Sequence, residues 1–223
     1  MINMDFSQRV VINTGQQPWL ASPKAGVWRK PLARAEAERG HATSIVRYEP
    51  GASFSPHDHP LGEEILVLDG VFSDASGDYP AGTYLRNPEG TRHAPFSEPG
   101  CTLLVKLHQF QETDTDPIVI DTHSTPWQPG QGRLQVMPLH QHRGEQVALV
   151  KWPAGEMFQP HTHVGGEEIY VISGEFADEH GRYPAGSWLR SPHLSRHTPW
   201  VDVDTIIWVK VGHLPPVDHS ADG

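Results

Sequence analysis

The chain has 223 residues, with 21 glycines, 21 prolines, 37% hydrophobic residues and a formal net charge of −10. So many turn formers argue against a helical bundle, and the acidity argues against nucleic acid or an anionic membrane surface as a partner. One cysteine, Cys101, can form neither an internal disulfide nor a cysteine-based zinc site, whereas 15 histidines point to metal or acid–base chemistry.

In chain order, Met1–Val10 lacks a basic segment followed by an apolar run, so no signal peptide is expected. Val11-Ile12-Asn13-Thr14 through Pro18-Trp19 comes next. Ala33–Arg39 is helix-like in composition and is the one stretch predicted to be helical. Ile65–Leu68 ends at Asp69-Gly70, and Leu103–Leu107 follows; both are predicted strands. Val119-Ile120-Asp121-Thr122 through Pro126-Trp127 repeats the opening pattern. Ile169–Ile172, ending at Ser173-Gly174, and Ile206–Val211 are further strands. No run is long enough to span a membrane; the most apolar, Thr205–Val209, stops at Lys210. A cytoplasmic, all-β protein is the expectation.

The chain is a tandem duplication. His57–His93 and His161–His197 align without a gap, with 20 of 37 positions identical. The opening segments match at an offset of 108 and the central ones at 104, so four extra residues lie in the first copy, around Ala33–His41. The repeats are expected to be residues 1–112 and 113–223, with the boundary in the polar segment Gln111–Asp116. Asp218–Gly223 reads as a frayed tail.

Each copy carries the same ligand pattern. His57 and His59 lie two apart, which on a strand places both side chains on one face. The turn-forming Pro60-Leu61-Gly62 can then bring Glu63 back beside them, and His93 follows thirty residues on. The second copy offers His161, His163, Glu167 and His197. Three imidazoles and a carboxylate suit zinc, iron, manganese, nickel or copper, and the recurrence of all four at one spacing favours one divalent metal per repeat. Glu64 and Glu168 also recur, facing the opposite side of the strand. Arg86, Arg190, Arg92 and Arg196 recur as partners for those carboxylates or as contacts for an anionic ligand. His140-x-His142 with Glu145 has no counterpart in the first copy and is expected to be exposed.

Taken together, Gly51, His57, His59, Glu63 and Gly70, with Gly82, Pro88, Gly90 and His93, resemble the two cupin motifs. Gly155, His161, His163, Glu167 and Gly174, with Gly186, Pro192 and His197, repeat them. Leu194 stands where the motif has its second glycine, and Ser97 and Val201 where it ends in asparagine. The resemblance implies a bicupin: two jelly-roll barrels, each with a metal inside its mouth. The strings GDYPAGTYLRNPEG and GRYPAGSWLRSPH are most similar to the ChrR-type cupin domain, in which the matching residues bind zinc within anti-sigma factors that restrain an ECF sigma factor.

That resemblance implies a zinc-binding regulatory module responding to oxidative stress, with an ECF sigma factor as partner. The helical, cysteine-bearing sigma-binding module is absent from this sequence. The same resemblance extends to non-haem iron dioxygenases acting on small diketones or aromatic substrates, with iron or manganese in place of zinc; the ligand set itself also allows a metal-dependent isomerase or hydrolase, with Glu63 leaving the metal to act as base. A small-molecule ligand is compatible with each. Cys101 aligns with Thr205 and reads as a buried, inert thiol. The protein is expected to be a monomer with an internal pseudo-dimer, or a homodimer.

Overall fold

The structure is a computed structural model and describes residues 1–36 and 39–216. The architecture is nearly all β: the sole helix among the described residues is the three-residue turn Thr14–Gln16. No described helix is long and apolar enough to cross a membrane. The described residues form two compact units, one drawn from residues 1–4 and 17–125 and the other from residues 5–16 and 126–216.

In the first unit the main sheet runs Ile118–Asp121, Thr83–Asn87, Glu63–Asp74, Cys101–Leu107, Ala42–Tyr48, Val27–Arg34 and Leu20–Ala21. In the second the corresponding order is Val10–Asn13, Ser187–Ser191, Glu167–Ser173, Thr205–Val211, Glu145–Trp152, Gln135–His142 and Gln128–Pro129. The edge strands are the two matching opening segments, and each pairs with the arginine-bearing strand of its unit: Val10 lies opposite Arg190, and Ile118 opposite Arg86. A small second sheet in each unit carries the histidines. These are the jelly-roll barrels expected from short strands punctuated by turns.

Alternation explains the core. Ile65, Val67, Leu103 and Val105 point inward and pack with Tyr48 and Phe72 in the first unit. Ile169, Val171, Ile207, Trp152 and Phe176 do so in the second. The intervening residues Glu64, Arg86 and Lys106 lie on the opposite face of the sheet and are also buried. The motif glycines have a steric cause. Gly70 has φ 73°, and a Cβ there would sit 2.1 Å from the Gly100 carbonyl. Gly174 is equally confined, 2.3 Å from the Asp204 carbonyl. Only glycine fits this bend with its close approach of backbone.

One predicted element is corrected. Ala33 and Arg34 end the strand Val27–Arg34, and Ala35 and Glu36 form a bend; residues 37–38 of the predicted helix lie outside the described residues. Pairing with Ala42–Tyr48 outweighs the helical propensity of the segment. The predicted tail Asp218–Gly223 also lies outside the described residues.

Candidate metal centres

The local chain path assembles each cluster in three moves. Antiparallel pairing sets His93 opposite His57, and His197 opposite His161, as direct cross-strand neighbours. The i, i+2 spacing adds His59 and His163 on the same side. A tight reversal then returns the carboxylate. In the first copy it uses Leu61 at φ 55° and Gly62 at φ 81°, and in the second Gly165 at 77° and Gly166 at 69°.

The structure brings together all eight residues singled out from the sequence, in two groups. In each of His57, His59, Glu63, His93 and His161, His163, Glu167, His197, one ligand-capable atom per residue lies within 4.8 Å of the others. Glu63 Oε2 is 3.3 Å from His59 Nε2 and 3.4 Å from His93 Nε2. In the second group the matching distances to Glu167 are 3.5 and 3.6 Å, and His163 Nε2 is 3.0 Å from His197 Nε2.

The ring tautomers can be reasoned out. His57 Nδ1 faces the Ser55 carbonyl at 3.1 Å, and His161 Nδ1 the Gln159 carbonyl at 3.0 Å, so Nδ1 carries the proton in both. Thr91 donates its hydroxyl to the Pro88 carbonyl at 2.6 Å, which leaves its oxygen to accept from His59 Nδ1 at 2.8 Å. His93 and His197 direct Nδ1 to Asp74 at 3.3 Å and Asp178 at 3.2 Å. In each case Nε2 is turned to the centre as a lone pair, the arrangement of a metal-bound histidine braced from behind. The Nε2 atoms of His59 and His93 are buried and make no hydrogen bond among the described residues. Such orphaned acceptors are costly without a further partner. Together with the three-imidazole, one-carboxylate donor set, they fit a divalent cation of the zinc–iron–manganese–nickel group.

The electrostatics agree for His59, His161 and His163, all lowered chiefly by burial, whereas at His197 burial is outweighed by the hydrogen bond to Asp178 and the field of Glu167, which raise it. Burial lowers His59, and burial followed by the fields of His197 and His161 takes His163 down to about 3, so these rings are held neutral, the metal-binding form. Burial pushes Glu167 up to about 7 although His197 opposes it. Burial alone would raise Asp178 as well. Hydrogen bonds from His197, Tyr183 and the His180 amide, and the Arg9 guanidinium, outweigh it and hold the carboxyl at about 2.

Asp74 and Asp178 are the residues that sequence reasoning missed, although both recur at the common offset. They differ in one partner. Asp178 accepts from Arg9 Nη2 at 2.8 Å and Tyr183 at 2.6 Å, whereas Asp74 accepts from Tyr79 at 3.1 Å and the Ser76 amide at 2.8 Å. The repeat position of Arg9 is Pro117, as the opposed pairs Val10–Arg190 and Ile118–Arg86 show.

Of the recurring arginines, Arg86 and Arg190 resolve as internal partners, not ligand contacts, while Arg92 and Arg196 are exposed. Arg86 is fully buried, bonded to Asp114 and 3.3 Å from Glu64. Arg190 is fully buried, donates to the Asp5 carbonyl at 2.8 Å and lies over Phe6. Arg92 is exposed, 3.8 Å from Asp58. His140 and His142 are half-buried with stacked rings, not exposed as expected, and Glu145 is buried against Lys210 at 2.8 Å. Cys101 is buried in the core, and burial raises its thiol to about 11.

The first cluster opens on a cavity of about 670 Å³, whose wall includes His57, His59 and Glu63. The rest of its lining mixes apolar residues, among them Val46, Phe54, Ile65 and Leu103, with the cationic Lys24, Arg29, Arg34 and Arg39 and the polar Ser44, Ser55, Asp58 and His108.

The model of the ChrR cupin-like domain matches the chain twice, over residues 7–111 and 115–215. No curated protein matches. Among solved structures, a protein from Nostoc punctiforme described as a candidate dioxygenase superposes with TM-score 0.77 at 17% identity, covering 95% of this chain and 85% of that one. The nickel(II) complex of the pirin YhhW from Escherichia coli gives 0.70 at 15% identity, covering 94% and 100%. Oxalate decarboxylase OxdC from Bacillus subtilis, as a single-residue variant, gives 0.63 at 14%, covering 93% and 78%. At these identities the likeness is one of fold.

Proposed function

Taking as premise that the chain belongs to the ChrR cupin-like domain family in both its repeats, we propose that it is a divalent-metal-binding bicupin whose first barrel transforms a small organic molecule. The observation that carries this reading is the position of His57, His59 and Glu63 in the wall of a 670 Å³ cavity, within the usual range for a small-molecule site. His57, His59, Glu63 and His93 would hold the metal. Iron is the first choice, because four protein ligands leave two of its six positions for other groups, and it would supply Lewis-acid and oxygen chemistry there. The apolar wall excludes water and seats the substrate body, and Asn87, donating to Glu63 Oε2 at 3.0 Å, holds the carboxylate in place. Oxygenation of a small diketone or aromatic substrate is the reaction class proposed.

The second centre has a different character. Where the first barrel has Tyr48 and Val27, the second packs Trp152 and Leu134 against Val136 and Phe158. We assign its metal, zinc included, a stabilising role, since metal held only by the folded state adds folding energy. This is also where a sensing role would lie, the protein responding to oxidant by losing that metal. Sigma-factor binding would need a recognition module, and the described residues contain no helix beyond the Thr14–Gln16 turn.

The test is metal analysis of untagged protein from cells supplied with iron and zinc, followed by oxygen uptake with acetylacetone. Iron at the first site and uptake abolished by His57→Ala support the proposal. Zinc at both sites with no uptake refutes the oxygenase assignment.

A further inference from the structure

Four of the chain's 17 cationic side chains line the first cavity: Lys24, Arg29, Arg34 and Arg39. Among the described residues, its acidic lining is the candidate ligand Glu63 and the exposed Asp58. In a chain of net charge −10 this is a local reversal of sign. Arg29, Arg34 and Lys24 are half-buried, so the charge is held in the wall and not merely displayed at the surface.

The duplication supplies an internal control. Val27 lies opposite Tyr48 and Arg29 opposite Val46 in the first sheet; Gln135 lies opposite Lys151 and Val136 opposite Val150 in the second. Both strands bulge just after the aligned prolines, Pro31 and Pro138. Before the strands, the Val27 amide donates to the Lys24 carbonyl and the Leu134 amide to the Gln131 carbonyl, each at 3.2 Å. The correspondence is therefore unambiguous: Lys24 matches Gln131, Arg29 matches Val136, and Arg34 matches Gln141. Arg39 lies in the segment that the second copy lacks. Every cation of the first barrel's cavity is neutral or missing in the second, although the metal-ligand set is retained in both.

We infer that the first barrel alone is built to bind a small organic acid, with its carboxylate on the cationic wall and its apolar body against Phe54, Ile65 and Leu103. This deepens the proposed function, on which it rests, by naming the substrate class. Guanidinium groups match the planar oxygens of a carboxylate, and a low-dielectric cavity strengthens the pairing. A divalent cation held by His57, His59, Glu63 and His93 would add to the same positive field.

Isothermal titration with 3-phenylpropionate tests this on both chelator-stripped and zinc-loaded protein. One equivalent per chain is expected. Binding is expected to weaken at least about tenfold with the neutral 3-phenylpropanamide and with the R29V/R34Q variant, which installs the second barrel's residues. The single R34Q variant, at a half-buried position that keeps the strand register, provides a milder loss if the double variant folds poorly. R182Q, on the exposed surface of the other unit, is expected to bind as the parent does. Inorganic phosphate, which has no apolar body, is expected to bind more weakly than the acid. Equal affinity for acid and amide, two equivalents per chain, tighter binding of phosphate, or no binding to either form overturns the inference. Carboxylate binding that persists in the stripped protein while zinc fails to bind upholds the inference and removes the metal-based reading.

Discussion

The two aspartates behind the clusters offer a paired perturbation with different outcomes in the two barrels. Asp74→Asn and Asp178→Asn each replace the carboxylate facing His93 or His197 Nδ1. Loss of such a brace weakens metal binding about 10–100-fold, or about 1.4–2.7 kcal/mol. The metal-free protein separates the two. Asp178 is wholly buried and takes a charged hydrogen bond from Arg9 at 2.8 Å, so Asp178→Asn strands a guanidinium that is 27% exposed. That loss is worth about 1.5–3 kcal/mol. Asp74 receives Tyr79 and Ser76, both neutral, and an asparagine oxygen can still accept from them, so Asp74→Asn should cost under about 1.5 kcal/mol. Metal affinity is read by competition with a fluorescent zinc indicator. For Asp74→Asn the second site is disabled by His161→Ala and His163→Ala; for Asp178→Asn the first is disabled by His57→Ala and His59→Ala. Stability is read by urea unfolding of chelator-stripped protein. Affinities unchanged within about twofold, or equal destabilisation by the two variants, would refute the reasoning.

Other predictions follow from single positions. Leu61 and Leu194 occupy the left-handed region at φ 55° and 62°, where the other copy has Gly165 and Gly90. Relief of about 1–2 kcal/mol of strain, against about 0.5–1 for the freer unfolded glycine, should make L61G and L194G each more stable by up to about 1 kcal/mol in urea unfolding. Gly70→Ala should destabilise by about 2–4 kcal/mol, because its Cβ would collide with the Gly100 carbonyl backbone; a midpoint unchanged in thermal melting would contradict the steric account. With its thiol raised to about 11, Cys101 should resist iodoacetamide at pH 8 in the native state and react in urea, as followed by mass spectrometry. Protons compete with metal for the imidazoles, so metal should be released as pH falls, measured by the same indicator.

Much of this was legible in the linear chain, and for identifiable reasons. The strands were short, apolar and closed by glycine, and strand alternation with cross-strand pairing is a local rule, so HxH spacing sufficed to place His57 beside His59. Duplication lifted the ligand set above coincidence, because the four ligand positions recur at one spacing although 17 of the 37 positions in that span differ. Asp74 and Asp178 recurred as faithfully, but an aspartate beside a tight turn has an ordinary explanation in turn chemistry, and only the folded hairpin reveals that it faces a histidine. Ala33–Arg39 carried helical propensity, yet its first residues joined a strand because the neighbouring strand offered backbone partners that a short helix could not match.

The chain alone determined the barrel type, the duplication and the candidate ligands, since each is written in short-range pattern. Tertiary structure decided the rest. It joined Val10–Asn13 to the sheet containing Arg190 and Ile118–Asp121 to that containing Arg86, because a sheet edge takes the strand that reaches it, not the one nearest in sequence. It also placed Arg29, Arg34 and Lys24 on the wall of the same cavity as His57 and Glu63. Those cations lie in a segment where the repeat offset shifts, so their loss from the second copy emerged only from strand register, which aligns residues by hydrogen bonds and not by identity.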